Sequence, residues 1–280
     1  MRGIIIVYAL GLAIAWAGSQ GSASYAGMPV FALCALLAFA LQWLAFVPAY
    51  LKQTEKFYDL VGSITYTSCI VLALALSGSI DMRSLLLAIC VLIWASRLGA
   101  FLFARIHKDG ADDRFDKIKP NPVRFFMTWS LQGLWVLITA GAALAAIASD
   151  SDAPIGVLAC VGVLLWVAGF AIEVIADHQK RVFRGRAGAG EFITEGLWAR
   201  SRHPNYAGEI LLWFGVALIA LPALQGWAMA TLVSPVFVYL LLSRVSGVPL
   251  LEKKADAKWG GQEEYEAYKA RTPVLFPRLF

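Results

Sequence analysis

The chain has 280 residues, is 59% hydrophobic with a mean hydropathy of +0.67, and only 15% of its residues are charged, where a soluble domain carries about a quarter. That composition excludes an ordinary soluble globular protein and points to an all-α polytopic bundle in a membrane. A net charge of +5, spread over loops beside apolar runs instead of forming a basic face, excludes a nucleic-acid-binding surface.

At roughly 20 residues per crossing, apolar helices are predicted near 3–17, 29–50, 60–78, 84–104, 126–148, 154–176, 208–224 and 227–246, seven or eight spans in all. The first run, Gly3 to Trp16 behind Arg2, is short and has signal-peptide character; the further spans favour an uncleaved helix. Charge alternates sharply between successive loops. Arg2, the Lys52 to Asp59 turn, the Arg105 to Arg124 loop, the Asp177 to Tyr206 loop and the tail from Leu251 carry nearly all the cations, with Arg83 the exception. The positive-inside rule thus predicts both termini, and any loop chemistry, on the cytoplasmic side. Cys34, Cys69, Cys90 and Cys160 lie in separate apolar runs without metal-ligand or exported-disulfide spacing, so no metal site is expected. With no repeat or long linker, one membrane domain is predicted over 1–280.

Polar groups within or beside these spans are the candidates for chemistry. Glu55, Asp59 and Tyr66 share one face if the third span begins early enough, and a carboxyl beside a phenol suits proton donation to a carbonyl; an interfacial turn with a tyrosine anchor explains them as well. Arg97 lies inside the fourth span, and Arg105 shares its face with Phe101 between them. Arg105 alone fits snorkelling to headgroups. Arg97 is deep enough to need a carboxylate, a phosphate or water. Glu173 and Asp177 are also four apart, with Lys180, Arg181 and Arg184 following beside the negative end of the same helix.

Glu195 to Phe214 reads EGLWARSRHPNYAGEILLWF. Pro204 suits the first helical position, with His203 near the cap. Arg200, Arg202, His203 and Asn205 then gather at a helix mouth suited to an anion or a phosphorylated cofactor, and Tyr206 and Glu209 follow one turn inward. In the tail, a helix through Glu263 to Lys269 and an extended Pro-containing end are predicted to lie at the membrane face and cap a pocket.

Asp177 to Arg184, GLWARSRHPNYAGEILLWFG and the YKARTPVLFP tail, supported by RLGAFLFAR and the DDRF loop, together resemble the membrane reductases related to steroid 5α-reductase and the sterol C14 reductases, most closely the DUF1295 branch. The resemblance implies an NADPH-dependent reduction of a C=C bond in a lipophilic enone drawn from the bilayer, with the cofactor mainly in 84–280. It implies Arg97 and Arg105 at the cofactor's phosphates, and Asp177 and Arg184 on its adenosine side. Arg202, His203, Asn205, Tyr206 and Glu209 would line the diphosphate and nicotinamide, with Tyr268 and Arg271 closing over it. Trp94 stands where the steroid reductases have a ketone-binding tyrosine, which leaves Glu55, Asp59 or Tyr66 for the acid. RHPNYAGE and the tail also resemble S-adenosylmethionine-dependent isoprenylcysteine and phospholipid methyltransferases; these carry a paired acid where this chain has only Glu252. The Arg97 and Arg105 pair favours a dinucleotide. A non-enzymatic lipid-binding protein holding anionic headgroups on its basic loops is the third reading.

Overall fold

The computed structural model describes residues 2–109, 112–151, 153–188 and 190–277, the side chains of 2, 104–109 and 113 excepted. The described helices are α1 (Arg2–Gly18), α2 (Val30–Leu51), α3 (Tyr58–Leu76), α4 (Met82–Asp109), α5 (Pro122–Thr139), α6 (Gly141–Ile147), α7 (Val157–Arg186), α8 (Pro204–Ala220), α9 (Ser234–Leu240), α10 (Gly247–Trp259) and α11 (Glu263–Arg271). A small antiparallel pair, β1 (Ser24–Tyr25) and β2 (Met28–Pro29), precedes α2. Among the described residues, six helical segments are long and apolar enough to cross a membrane, and α5 with α6 makes a seventh if the bent pair is one span. The all-α membrane bundle expected from composition is therefore what the chain forms, with α1 as a shorter apolar helix.

Two of the expected spans are not continuous α-helices. The run over 126–148 bends by 58° between α5 and α6. Ser234 Oγ donates to the Thr139 carbonyl at 2.5 Å, taking an acceptor that an unbroken helix would offer to an amide four residues on. The run over 227–246 is a 3₁₀ stretch (Gly226–Val233), then α9, then a π turn (Leu241–Val245).

The chain forms two compact units, 1–160 with 216–234 and 161–215 with 235–280. In the first, α5 begins on a cap that its sequence supplies: the Asn121 side chain accepts from the Arg124 amide at 3.0 Å and Pro122 occupies the first turn, where its missing N–H costs nothing. Gln42 Nε2 donates to Thr65 Oγ1 at 2.8 Å, joining α2 to α3 through fully buried side chains. At the other end of the spans Arg83 is buried, donating to the carbonyls of Ala153 at 3.2 Å, Pro154 at 2.6 Å and Ile219. Carbonyls supply the acceptors that a buried guanidinium requires.

In the second unit α7 and α8 approach through glycines spaced seven apart. A Cβ at Gly208 would lie 2.5 Å from the Gly169 carbonyl, and one at Gly215 would lie 2.5 Å from that of Gly162. Small residues in register let two helix backbones touch. This contact sets the height of the α8 mouth beside the polar end of α7.

Candidate functional site

The site is a cavity of about 340 Å³ contained in the second unit. Its first wall is the end of α7, where Lys180, Phe183 and Arg184 fall at helical spacing. The turn before α8 is clamped against that wall. Trp198 Nε1 donates to the Ala176 carbonyl at 3.0 Å, and Gln179 accepts from the Leu197 amide at 3.0 Å. Gly196, with φ +59, is needed here because a Cβ would fall 2.5 Å from the Gln179 side chain. Lys180 Nζ sits 4.3 Å from the centroid of the Trp198 ring, a cation–π contact that holds both groups on the cavity wall.

The opposite wall comes from α10 and α11. Leu251, Glu252, Lys254, Ala255, Lys258 and Trp259 line the cavity from α10, and Tyr265 and Tyr268 from α11. Phe192 packs against Trp259, Tyr265 and Tyr268 at ring separations of 5.2–5.7 Å. The buried Tyr268 hydroxyl donates to the Trp198 carbonyl at 2.7 Å, and burial raises this phenol's pKa to about 12. Five cations (Lys180, Arg184, Arg202, Lys254, Lys258) thus face two carboxylates (Glu191, Glu252) among aromatic rings.

At the floor lies the mouth of α8. The helix starts at Pro204, and the Ala207 amide donates to the His203 carbonyl at 3.2 Å. The segment beyond α11, bent at 274–276, runs alongside: the Arg202 amide donates to the Pro273 carbonyl at 2.9 Å and the His203 amide to that of Val274 at 3.0 Å. The helical tail predicted from sequence is present as α11; where the sequence predicts an extended end the described chain bends instead, and its carbonyls fix the backbone of the Arg–His pair. Glu252 Oε2 accepts from Arg202 at 2.5 Å, and its Oε1 lies 2.7 Å from His203 Nε2. The His203 ring lies nearly parallel to that of Tyr206, 5.7 Å away. Burial, which outweighs the attraction of Glu252, holds the imidazole pKa below its ordinary value, so the ring is neutral at pH 7.

Of the expected cofactor residues in this unit, Arg184, Arg202, His203 and Tyr268 line the cavity, whereas Asp177, Asn205, Tyr206, Glu209 and Arg271 are absent from its lining. Asn205 Nδ2 donates to Asp177 Oδ1 at 3.3 Å, joining α8 to α7 behind the floor. Glu209 is half-buried one turn along α8, and Arg271 is exposed at the end of α11.

The remaining expected residues belong to the first unit. Arg97 is half-buried with its guanidinium 5.7 Å from the Phe101 ring centroid, as their shared face predicts. The Arg105 side chain lies outside the described residues. Glu55, Asp59 and Tyr66 do not share one helical face: α3 starts at Tyr58, after a turn in which Gln53 has φ +48, so Glu55 precedes the helix. Glu55 is buried and accepts from Lys119 Nζ at 2.6 Å and from the Asp112 amide at 2.9 Å. Burial alone would raise its pKa, but these donors prevail and hold it below the ordinary carboxylate value. Tyr66 packs edge-on against Trp94 with ring centroids 5.2 Å apart.

Residues 45–272 match the family model described as "Protein of unknown function (DUF1295)". The chain belongs to the DUF1295 family. It is 30% identical over 119 residues to 3-oxo-5-alpha-steroid 4-dehydrogenase 1 of Bos taurus, covering 42% of this chain and 41% of the relative. The corresponding Macaca fascicularis protein is 31% identical over 121 residues, 43% of this chain and 41% of the relative. The chain therefore spans about two-fifths of the length of the curated relatives it matches. No solved structure matches the chain. This DUF1295 protein is an integral-membrane relative of the steroid reductases.

Lys180, Trp198, Glu252, Lys258, Trp259 and Tyr265 line the cavity without being cofactor candidates on sequence. A signal existed for Lys180, which sits between Asp177 and Arg184 at helical spacing. For Glu252 the signal was its position where the methyltransferases carry a paired acid.

Proposed function

We propose that this DUF1295 protein is an NADPH-dependent reductase of a C=C bond in a lipophilic enone that it draws from the bilayer. The carrying observation is the cavity that sets five cations among aromatic rings above the Arg202–His203 pair. Guanidinium and ammonium groups match phosphate oxygens, rings match a purine or pyridine face, and a phosphorylated dinucleotide presents both. Arg202 Nε and His203 Nδ1 are buried without a hydrogen-bond partner among the described residues, which fits a polar ligand completing them. About 340 Å³ is at the small end of the range for ligand pockets, enough for one nucleotide half of such a cofactor.

Lys180 and Arg184 would hold phosphate on the α7 wall, with Trp198, Trp259 and Tyr265 enclosing the ring beside it. Arg202 and His203 would meet the ligand at the α8 mouth, and Tyr268 would keep the tail closed by its bond to Trp198. Bound NADPH supplies hydride from its dihydronicotinamide. The chain's own part in the chemistry is to stabilise negative charge growing on the substrate's carbonyl oxygen. Glu55, ionised and engaged by Lys119, is better suited to anchoring its loop than to donating a proton to that oxygen. Both termini and the cavity are proposed to face the cytoplasm, where the cofactor is found.

Thermal unfolding of the detergent-purified protein with added ligands tests the proposal. NADPH should raise the midpoint, since a ligand at 100 times its Kd stabilises the folded state by about 2.7 kcal/mol. A rise with S-adenosylmethionine and none with NADPH would replace the reductase by a methyltransferase. A rise with anionic lipid alone would support a lipid-binding protein.

A further inference from the structure

Glu252 is bound at both ends: one carboxylate oxygen takes Arg202 and the other faces His203 Nε2. A carboxylate only accepts hydrogen bonds, so His203 must carry a proton on Nε2. Its side chain is 6% exposed, and burial disfavours a second proton on the ring. The imidazole is then the Nε2–H tautomer, with a lone pair on Nδ1. That nitrogen is buried and meets no partner among the described residues, and neither does the Nε–H of Arg202. Both residues line the cavity. One carboxylate therefore holds two neighbouring side chains so that one has an acceptor to spare and the other a donor.

We propose that Glu252 is a positioning residue that fixes Arg202 and His203 as a donor–acceptor pair for a neutral ligand group that both accepts and donates, a carboxamide or a hydroxyl. A phosphate dianion is excluded at that point, since it has no proton to give Nδ1, even though the rest of the cavity is cationic. The pair therefore adds a test of neutral-group identity to a site otherwise selective for charge. A nicotinamide carboxamide and a ribose hydroxyl both meet the requirement. The inference rests on the cavity being a cofactor site.

The chain has three histidines, at 107, 178 and 203, so full-length protein labelled with ¹⁵N-histidine in lipid nanodiscs gives few enough signals to assign by substitution. The expected result is an Nε2–H ring for His203 whose Nδ1 resonance moves toward that of a hydrogen-bonded acceptor on adding NADPH. Movement with NADPH but not with 2′,5′-ADP would place the neutral group on the nicotinamide half, its carboxamide or its ribose; movement with both would place it on the adenosine half. Glu252→Gln, whose amide can donate to Nε2, should mix the tautomers and weaken NADPH binding about tenfold, the scale of one hydrogen bond to a charged group. Glu252→Asp, which restores the acceptor, should recover the Nε2–H ring. If S-adenosylmethionine moves Nδ1 and NADPH does not, the reductase proposal fails and the donor–acceptor pair stands. An Nδ1–H ring in the wild type, or an Nδ1 signal indifferent to all three ligands, overturns the pair. The wild-type measurement decides this even if Glu252→Gln does not fold.

Discussion

Gly208→Ala is the substitution whose cost follows most directly from the backbone. The added methyl would stand 2.5 Å from the Gly169 carbonyl and 2.8 Å from the Glu173 amide. Ordinary contact begins at 3.4 Å, so the α7 and α8 backbones must shift to relieve an overlap of about 0.9 Å (3.4 − 2.5). Both obstructing atoms are backbone, so no side chain can rotate aside to make room. Overpacking of this kind costs about 1–3 kcal/mol, and the gain in helix propensity over glycine returns about 1 kcal/mol. The upper part of the range applies to a backbone obstruction, leaving a net loss of about 1–2 kcal/mol. For a chain of this size that corresponds to a midpoint lower by about 2–8 °C. Gly185→Ala is the matched control, because it adds the same methyl to α7 in open space and should leave the midpoint unchanged or slightly higher. Thermal unfolding of the purified variants in one detergent reads both. A Gly208→Ala midpoint at or above that of Gly185→Ala would refute direct backbone packing at this crossing.

Lys119→Ala leaves the buried Glu55 carboxylate without its strongest donor and should cost about 1–3 kcal/mol. Because the folded pKa of Glu55 is lowered, that contribution is complete above the unfolded value of about 4.3 and is lost as pH falls through the folded value. The acid limb of a stability-against-pH curve should therefore be steeper in wild type than in Lys119→Ala; parallel limbs would show that Glu55 is not held by Lys119. His203 is likewise lowered, so its neutral ring favours the folded, ligand-ready state above about pH 6.5, and this advantage disappears as pH falls through the folded value. Lys180, Arg202 and Glu252 set the field at this ring. NADPH affinity by titration calorimetry should decline below pH 6.5 in wild type and decline less in His203→Asn; equal slopes would remove His203 from the binding equilibrium. Arg184→Ala should weaken NADPH by roughly tenfold or more, the scale of a charge-assisted hydrogen bond, and NADH by much less. Equal losses for the two cofactors would place Arg184 away from the 2′-phosphate.

Composition and the lengths of the apolar runs were enough to read a helical membrane protein. Pro204 marked the start of α8, and the tail sequence marked the helix α11. These are local decisions, made by hydropathy, proline geometry and helix propensity within a few residues, and so they are written in the chain. The breaks were not legible. Gly141 permits a 58° bend after Ala140 but does not require one, and the Ser234 hydroxyl that takes the Thr139 carbonyl there comes from 95 residues away. Glu55 matched a helical spacing with Asp59 and Tyr66, yet a tight turn removes it from the helix and Lys119, 64 residues on, takes its carboxylate. The site divides in the same way. The basic mouth of α8 could be read from RHPNY, since the groups are contiguous. Its facing wall from α10 and α11 could not, because the meeting of Glu252 with Arg202 and His203 spans some 50 residues of sequence and depends on how the helices pack. Residue type and spacing determined which groups could bind a phosphorylated ligand; only the tertiary structure decided which of them share a cavity, because side chains distant in sequence are brought within hydrogen-bonding range by packing alone.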